Sequence, residues 1–148
     1  MNDVLSTHRA FYDAVETGDL DLMASLWVDD TDTSCIHPGA EQLKGTDAVL
    51  RSWTLLMANV GYIQFFLTDI AVTTLPADAD DPDTALVTCT ENILSDEGTA
   101  SVESFAGGKA ICTSVLVRDR AGSGDWRFWS RHASPVLELD LEPEEEPP

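Results

Sequence analysis

Along the first part of the chain apolar residues recur at helical spacing; from about residue 62 they recur at every other position. Over Val4–Glu16 the apolar or aromatic positions are Val4, Leu5, His8, Phe11, Tyr12 and Val15, one face of an amphipathic helix with Asn2 or Asp3 as its cap. Thr17-Gly18 closes that helix, because glycine accepts the left-handed backbone of a helix end. Asp19 caps a second, shorter helix running from Leu20 to about Val28, with Leu20, Met23, Leu26 and Trp27 inward. Ser34-Cys35-Ile36 is compact enough for a short strand. His37-Pro38-Gly39 breaks it, since proline fixes its own φ and holds His37 extended. Ala40–Lys44 reads as a loop. Gly45-Thr46 opens a third helix, with Thr46 as cap, Asp47 at the positive helix end, and Val49, Trp53, Leu56, Met57 and Val60 at helical spacing.

The alternating half predicts four long strands: Tyr62–Leu75 (bent or bulged), Thr84–Leu94, Lys109–Arg118 and Trp126–Val136. PADADDPD at 76–83 and DRAGSGD at 119–125 are turns by composition. Between them, residues 95–108 are ambiguous, with a strand candidate at 102–105. Helices followed by hairpin-linked strands predict an α+β domain over residues 1–137, three N-terminal helices lying on the concave face of a strongly curved, mostly antiparallel sheet. Such a sheet and its helices can close a cone, with Trp27–Trp53 as one wall of a cavity.

Composition narrows this picture. A length of 148 residues is that of one domain with a substantial core. Twenty-seven acidic against eight basic residues give a net charge of −19. Nucleic acid and anionic membranes are therefore poor partners, because both need clustered Lys and Arg. Residues 138–148, ELDLEPEEEPP, are expected to form a disordered acidic tail. No apolar run reaches the roughly 20 residues of a spanning helix, and MNDVLSTHR carries no secretory pattern, so a cytoplasmic location is expected. Cys35, Cys89 and Cys112 lack a CxxC spacing and read as buried small hydrophobes.

Chemistry concentrates at three positions. His37 sits where a strand meets a turn; an imidazole there can serve as base or hydrogen-bond partner in a cavity, or simply hold the loop. Glu91 shares the face of Ala85, Val87, Cys89 and Ile93, where a carboxylate needs compensation. It either orients His37 or a ligand, or pairs structurally with Arg131, Arg127 or a helix donor, or is turned outward by a strand bulge. His132 alternates with Trp126, Phe128 and Ser130, while Trp129 and Arg131 take the other face; inward, His132 would meet His37 or Glu91. Phe11, Tyr12, Trp27 and Trp53 are core aromatics that double as cavity wall. No HxH or HxxxH spacing supports a metal, and no cofactor is implied.

Taken together, FYDAVETGDLDLMASLWVDD, CIHPG, KGTDAVLRSW, DTALVTCTEN and WRFWSRHASP resemble the nuclear transport factor 2-like superfamily, in its SnoaL-like branch with the ketosteroid isomerase-like fold. The resemblance spans about residues 5–136. It implies a cone-shaped α+β barrel, a homodimer formed through the outer sheet face, and an interior apolar cavity, without implying one activity. Ketosteroid isomerases use an aspartate base with a tyrosine and a protonated aspartate as oxyanion hole. Aligned on that pattern, the tyrosine falls near Phe11, the base on His37 and the second acid at about Thr113. None of the three side chains is retained, although His37 could still abstract a proton. The reading this supports is a homodimeric binder of a small apolar molecule, lined by Phe11, Tyr12, Trp27, Trp53, Thr113 and His132. Its alternatives are an isomerase, hydrolase or dehydratase using His37 as acid/base assisted by Glu91, and an assembly module.

Overall fold

The computed structural model describes residues 3–95 and 108–136. The strand candidate at 102–105, the end of the domain at 137 and the acidic tail at 138–148 lie outside the described residues. Three helices come first: α1 (Val4–Thr17), α2 (Leu20–Ser25) and, after two short strands, α3 (Thr46–Asn59). Asp3 caps α1 in a capping box with Ser6, and Gly18 closes it at φ 69°. The second helix is shorter than its periodicity predicts, because Leu26 already caps it. Trp27 then leaves the helix and bridges to Phe128 in the sheet instead.

The sheet has six strands: β1 (Ser34–Ile36), β2 (Gln42–Lys44), β3 (Ile63–Leu75), β4 (Thr84–Ser95), β5 (Lys109–Arg118) and β6 (Trp126–Pro135). Their order is β2-β1-β6-β5-β4-β3, and the sheet is open and curved. All these neighbours pair antiparallel except β1 with β6, which run parallel. The segment expected as a loop at 40–44 therefore contains a strand: Ile36 faces Gln42 and Ser34 faces Lys44 across the His37-Pro38-Gly39 turn. Gly39 takes φ 75° in that turn, where only glycine sits without strain.

Two bulges bend the sheet. In β3 the register jumps between Thr68 and Ala71, with Asp69 at φ 54°, a conformation a short polar side chain tolerates. In β6 Val115 faces Ser130 while Leu116 faces Phe128, so Trp129 is the extra residue. The helices cover the concave face, and one cluster joins Phe11, Tyr12, Met23, Trp27, Trp53 and Phe128 among its fully buried members. Side chains tie the layers together as well: Glu16 accepts the Phe65 N–H at 2.8 Å, and Thr7 donates to the Trp126 carbonyl.

Thr46 does not cap α3; Gly45 occupies the cap position without a side-chain bond. The Thr46 hydroxyl faces the other way, within bonding distance of the Val28 and Asp30 carbonyls and 2.9 Å from Thr33 Oγ1. It also accepts the Asp30 N–H at 3.1 Å, so it staples the acidic 28–33 connection to the helix start. No helix among the described residues is long and apolar enough to cross a membrane.

Candidate functional site

Strand alternation decides what reaches the interior. On β4 it turns Ala85, Val87, Cys89, Glu91 and Ile93 inward, as the sequence predicts, and Glu91 is 0% exposed. Its Oε2 accepts a 2.5 Å hydrogen bond from the Tyr12 hydroxyl of α1. The same oxygen is ion-paired with Nη2 of Arg131 from β6, itself 1% exposed. The Arg131 guanidinium lies over the Phe11 ring, 4.7 Å from its centroid, and over Trp53 at 5.5 Å. Such cation–π contacts are stronger for a desolvated cation than in water. Burial works against the Arg131 charge, but the carboxylate of Glu91 opposes it, and its pKa stays well above the ordinary arginine value.

The groups around this pair stay uncharged at neutral pH. Burial pushes the Tyr12 phenol well above its ordinary pKa. Burial likewise pushes the Cys35 and Cys89 thiols up to about 11, and raises Cys112. They are protonated thiols, the inert form. His8 stacks against Phe128 and meets Tyr12 edge-on, with Nε2 3.9 Å from Cys89 Sγ. Burial, reinforced by Arg131, pushes its pKa down to about 4.

His37 forms the outer layer. It is half-buried, its Nε2 lies 3.0 Å from Ser52 Oγ of α3, and its ring meets Trp53 edge-on at 4.6 Å. Burial and then Arg131 push its pKa down to about 4, so the ring is neutral at pH 7. A continuous series of contacts joins surface to interior: His37 on Trp53, Trp53 on Arg131, Arg131 on Glu91, Glu91 on Tyr12.

The structure thus places Glu91, Phe11, Tyr12, Trp27 and Trp53 in the interior, with His37 half-buried against Trp53. It places Thr113 and His132 elsewhere. They face each other across β5 and β6, and both are exposed on the outer side of the sheet. For Thr113, simple alternation between buried Cys112 and Ser114 sends it outward. For His132 the cause is the Trp129 bulge: one extra residue inverts the phase of the strand, so Arg131 and Ala133 continue the face of Trp126 and Phe128. Of the partners the sequence offers for Glu91, Arg131 is the one that arrives from β6, and His132 does not. Nothing in the sequence marks that bulge. The sequence alone does not single out His8, which sits in an apolar stripe, or Ser52, an isolated serine without a pattern.

Several buried polar atoms at this centre have no hydrogen-bond partner among the described residues: Glu91 Oε1, Arg131 Nε and Nη1, and Trp53 Nε1. Three surface clefts lie apart from it. A cleft of about 420 Å³ is lined by Asp29, Lys44, Thr46 and Arg51 among others, and one of about 540 Å³ by Arg118, Arg120 and Arg127 with Asp29 and Asp119. A third of about 220 Å³ separates the ends of α1 and α3. Among the described residues no cluster of three His, Cys, Asp or Glu side chains could hold a metal ion.

A family model described as a SnoaL-like domain matches residues 4–138. A crystal structure of a candidate dehydratase of the NTF2-like family from Streptomyces avermitilis is 45% identical, covering 90% of this chain and 94% of its own, with a TM-score of 0.74. A candidate calcium/calmodulin-dependent protein kinase type II association domain from Thiobacillus denitrificans is 27% identical over 93% of this chain and 98% of its own, TM-score 0.66. An NTF2-like protein of unknown function from Pseudomonas putida, 19% identical over 93% and 87% with a TM-score of 0.70, shares the fold. No curated protein sequence matches.

Proposed function

The chain belongs to the SnoaL-like domain family, and from that membership and its interior polar centre we propose that it binds a small, largely apolar molecule. The observation that carries this reading is the unused bonding capacity of Glu91, Arg131 and Trp53 inside a wall of aromatic rings. Buried polar groups in folded proteins are as a rule hydrogen-bonded, and exceptions mark sites where something else completes them. Aromatic walls with a few convergent polar groups are the usual make-up of a small-molecule site. Half-buried His37 and Ser52 stand between solvent and Trp53, so a ligand would enter past them.

The binding protein is a homodimer in this reading. Support comes from the outer sheet face, where Phe66, Leu94 and Ile111 on three adjacent strands are each about half exposed. The test is thermal unfolding and tryptophan fluorescence of the intact chain against a panel of apolar compounds. A raised melting temperature that is lost when Trp53 is replaced by alanine supports the reading. No response from any compound would overturn it.

A second reading is favoured by the 45% identity to a candidate dehydratase. In it the neutral His37 ring is the general acid/base and the Glu91–Arg131 centre, reached through Trp53, holds the substrate oxygen. The reaction class would be proton abstraction next to a carbonyl with loss of a neighbouring hydroxyl as water. His37→Gln should then abolish turnover while leaving binding of the same compound in place; equal loss of both would remove the catalytic role.

A further inference from the structure

Building on the binding reading, we propose that the interior centre selects a neutral ligand carrying both a hydrogen-bond donor and an acceptor, a hydroxy-ketone or hydroxy-amide on an apolar ring, and rejects carboxylates and ammonium ions. The charge count leads there first. Glu91 and Arg131 form a closed pair of opposite sign, 0% and 1% exposed. Their sum is zero, and the neighbouring His8, His37, Tyr12 and cysteine side chains add no charge at neutral pH. A ligand anion or cation entering this centre would be an uncompensated buried charge, the costliest group to desolvate.

The unpartnered atoms then set the pattern. Glu91 Oε1 can only accept, so it requires an O–H or N–H from the ligand. Arg131 Nε and Nη1 and Trp53 Nε1 can only donate, so they require a carbonyl or ether oxygen. Glu91 Oε1 and Arg131 Nη1 belong to the same planar groups as the paired Oε2 and Nη2, so the ligand donor and the acceptor that meets Arg131 must be near neighbours. The rest of the ligand meets Phe11 and Trp53 rings already engaged by the guanidinium. A ligand with neither polar group leaves all these atoms unsatisfied, and one with only an acceptor leaves Glu91 Oε1 unsatisfied.

Four probes built on one ring separate the outcomes: α-hydroxyacetophenone (donor and acceptor), ethylbenzene (neither), benzoate and benzylamine. Binding to the full-length chain is measured at pH 7 by tryptophan fluorescence and calorimetry. α-Hydroxyacetophenone should bind at least about tenfold more tightly than each of the others. In the Glu91→Met/Arg131→Met double variant that preference should vanish, with ethylbenzene binding at least as well. Should the double variant not fold, Trp53→Phe removes a single donor and should weaken only α-hydroxyacetophenone. Benzoate or benzylamine binding as tightly as α-hydroxyacetophenone would overturn the selection rule while leaving a binding site in place. A preference that survives these substitutions would also overturn it. If no probe binds, both the rule and the binding reading fall.

Discussion

Arg131 and Glu91, forty residues apart in the chain, close an ion pair in which neither partner touches solvent. Removing one member of such a pair strands the other charge, which typically costs about 3–5 kcal/mol, whereas replacing both with apolar residues is often neutral. Arg131→Met and Glu91→Met should each lower unfolding free energy by about that amount in urea titrations. The double variant should return to within about 2 kcal/mol of the native chain. A double variant as unstable as the worse single would mean that the pair contributes net stability.

Tyr12 tests the same centre from the helix side. Its 2.5 Å hydrogen bond supplies Glu91 Oε2 with its second donor. Tyr12→Phe keeps the ring contacts with Phe11, Phe65 and His8 and deletes only the hydroxyl. A loss of about 1–3 kcal/mol is expected, the cost of leaving a buried polar group short of a partner. A change under about 0.5 kcal/mol, the usual size of a surface substitution effect, would show that Arg131 alone satisfies the carboxylate.

Acid should weaken the fold through its two interior-side histidines. His8 and His37 are each pushed from 6.5 down to about 4 in the folded chain. Between those values the unfolded chain binds protons that the folded chain does not, so stability is fully present above pH 6.5 and falls as pH drops toward 4. The limiting slope is about 1.4 kcal/mol per pH unit for each histidine. The chain's many acidic residues make a variant comparison necessary: His8→Gln/His37→Gln should show a shallower loss between pH 6.5 and 5 than the native chain. Proton NMR offers a direct check, with both imidazoles expected to titrate below pH 5.

Thr46 should behave as a tertiary anchor and not as a helix cap. Thr46→Val removes a hydroxyl that meets Val28, Asp30 and Thr33 at once. A loss of about 1–3 kcal/mol is expected, with amide exchange speeding up at residues 28–33 ahead of α3 itself. Thr46→Ser, which keeps the hydroxyl, should restore most of the protection. Faster exchange confined to the first turn of α3 would restore the capping role.

Much of this architecture is legible in the order of residues, because its causes are local. The 3.6 and 2 periodicities give α1, α3 and the four long strands, and Gly18 and Asp3 mark the ends of α1 by simple backbone chemistry. The inward face of β4, with Glu91 among apolar neighbours, follows from uninterrupted alternation. What escapes the sequence depends on partners distant in the chain. Trp27 leaves its helix because Phe128 offers backbone bonds on both sides of it, and Gln42–Lys44 becomes a strand only because Ser34–Ile36 lies beside it. Thr46 looks like a cap until the Val28 and Asp30 carbonyls are in place. The site was half visible for the same reason: Glu91 announces a missing partner, but which side chain arrives is fixed by the β5–β6 register.

The extra residue in β6 makes the chemistry of the interior a matter of counting. With Trp129 absorbed as the extra residue, Arg131 lies opposite Ser114 and inward; a ladder running through the same residues without the bulge would turn Arg131 outside and present His132 to Glu91. A permanent cation would give way to an imidazole, with no substitution at either position. Deleting Trp129 would, for the same reason, leave Arg131 inward, because Phe128, Ser130 and Arg131 would then alternate regularly against Leu116, Val115 and Ser114.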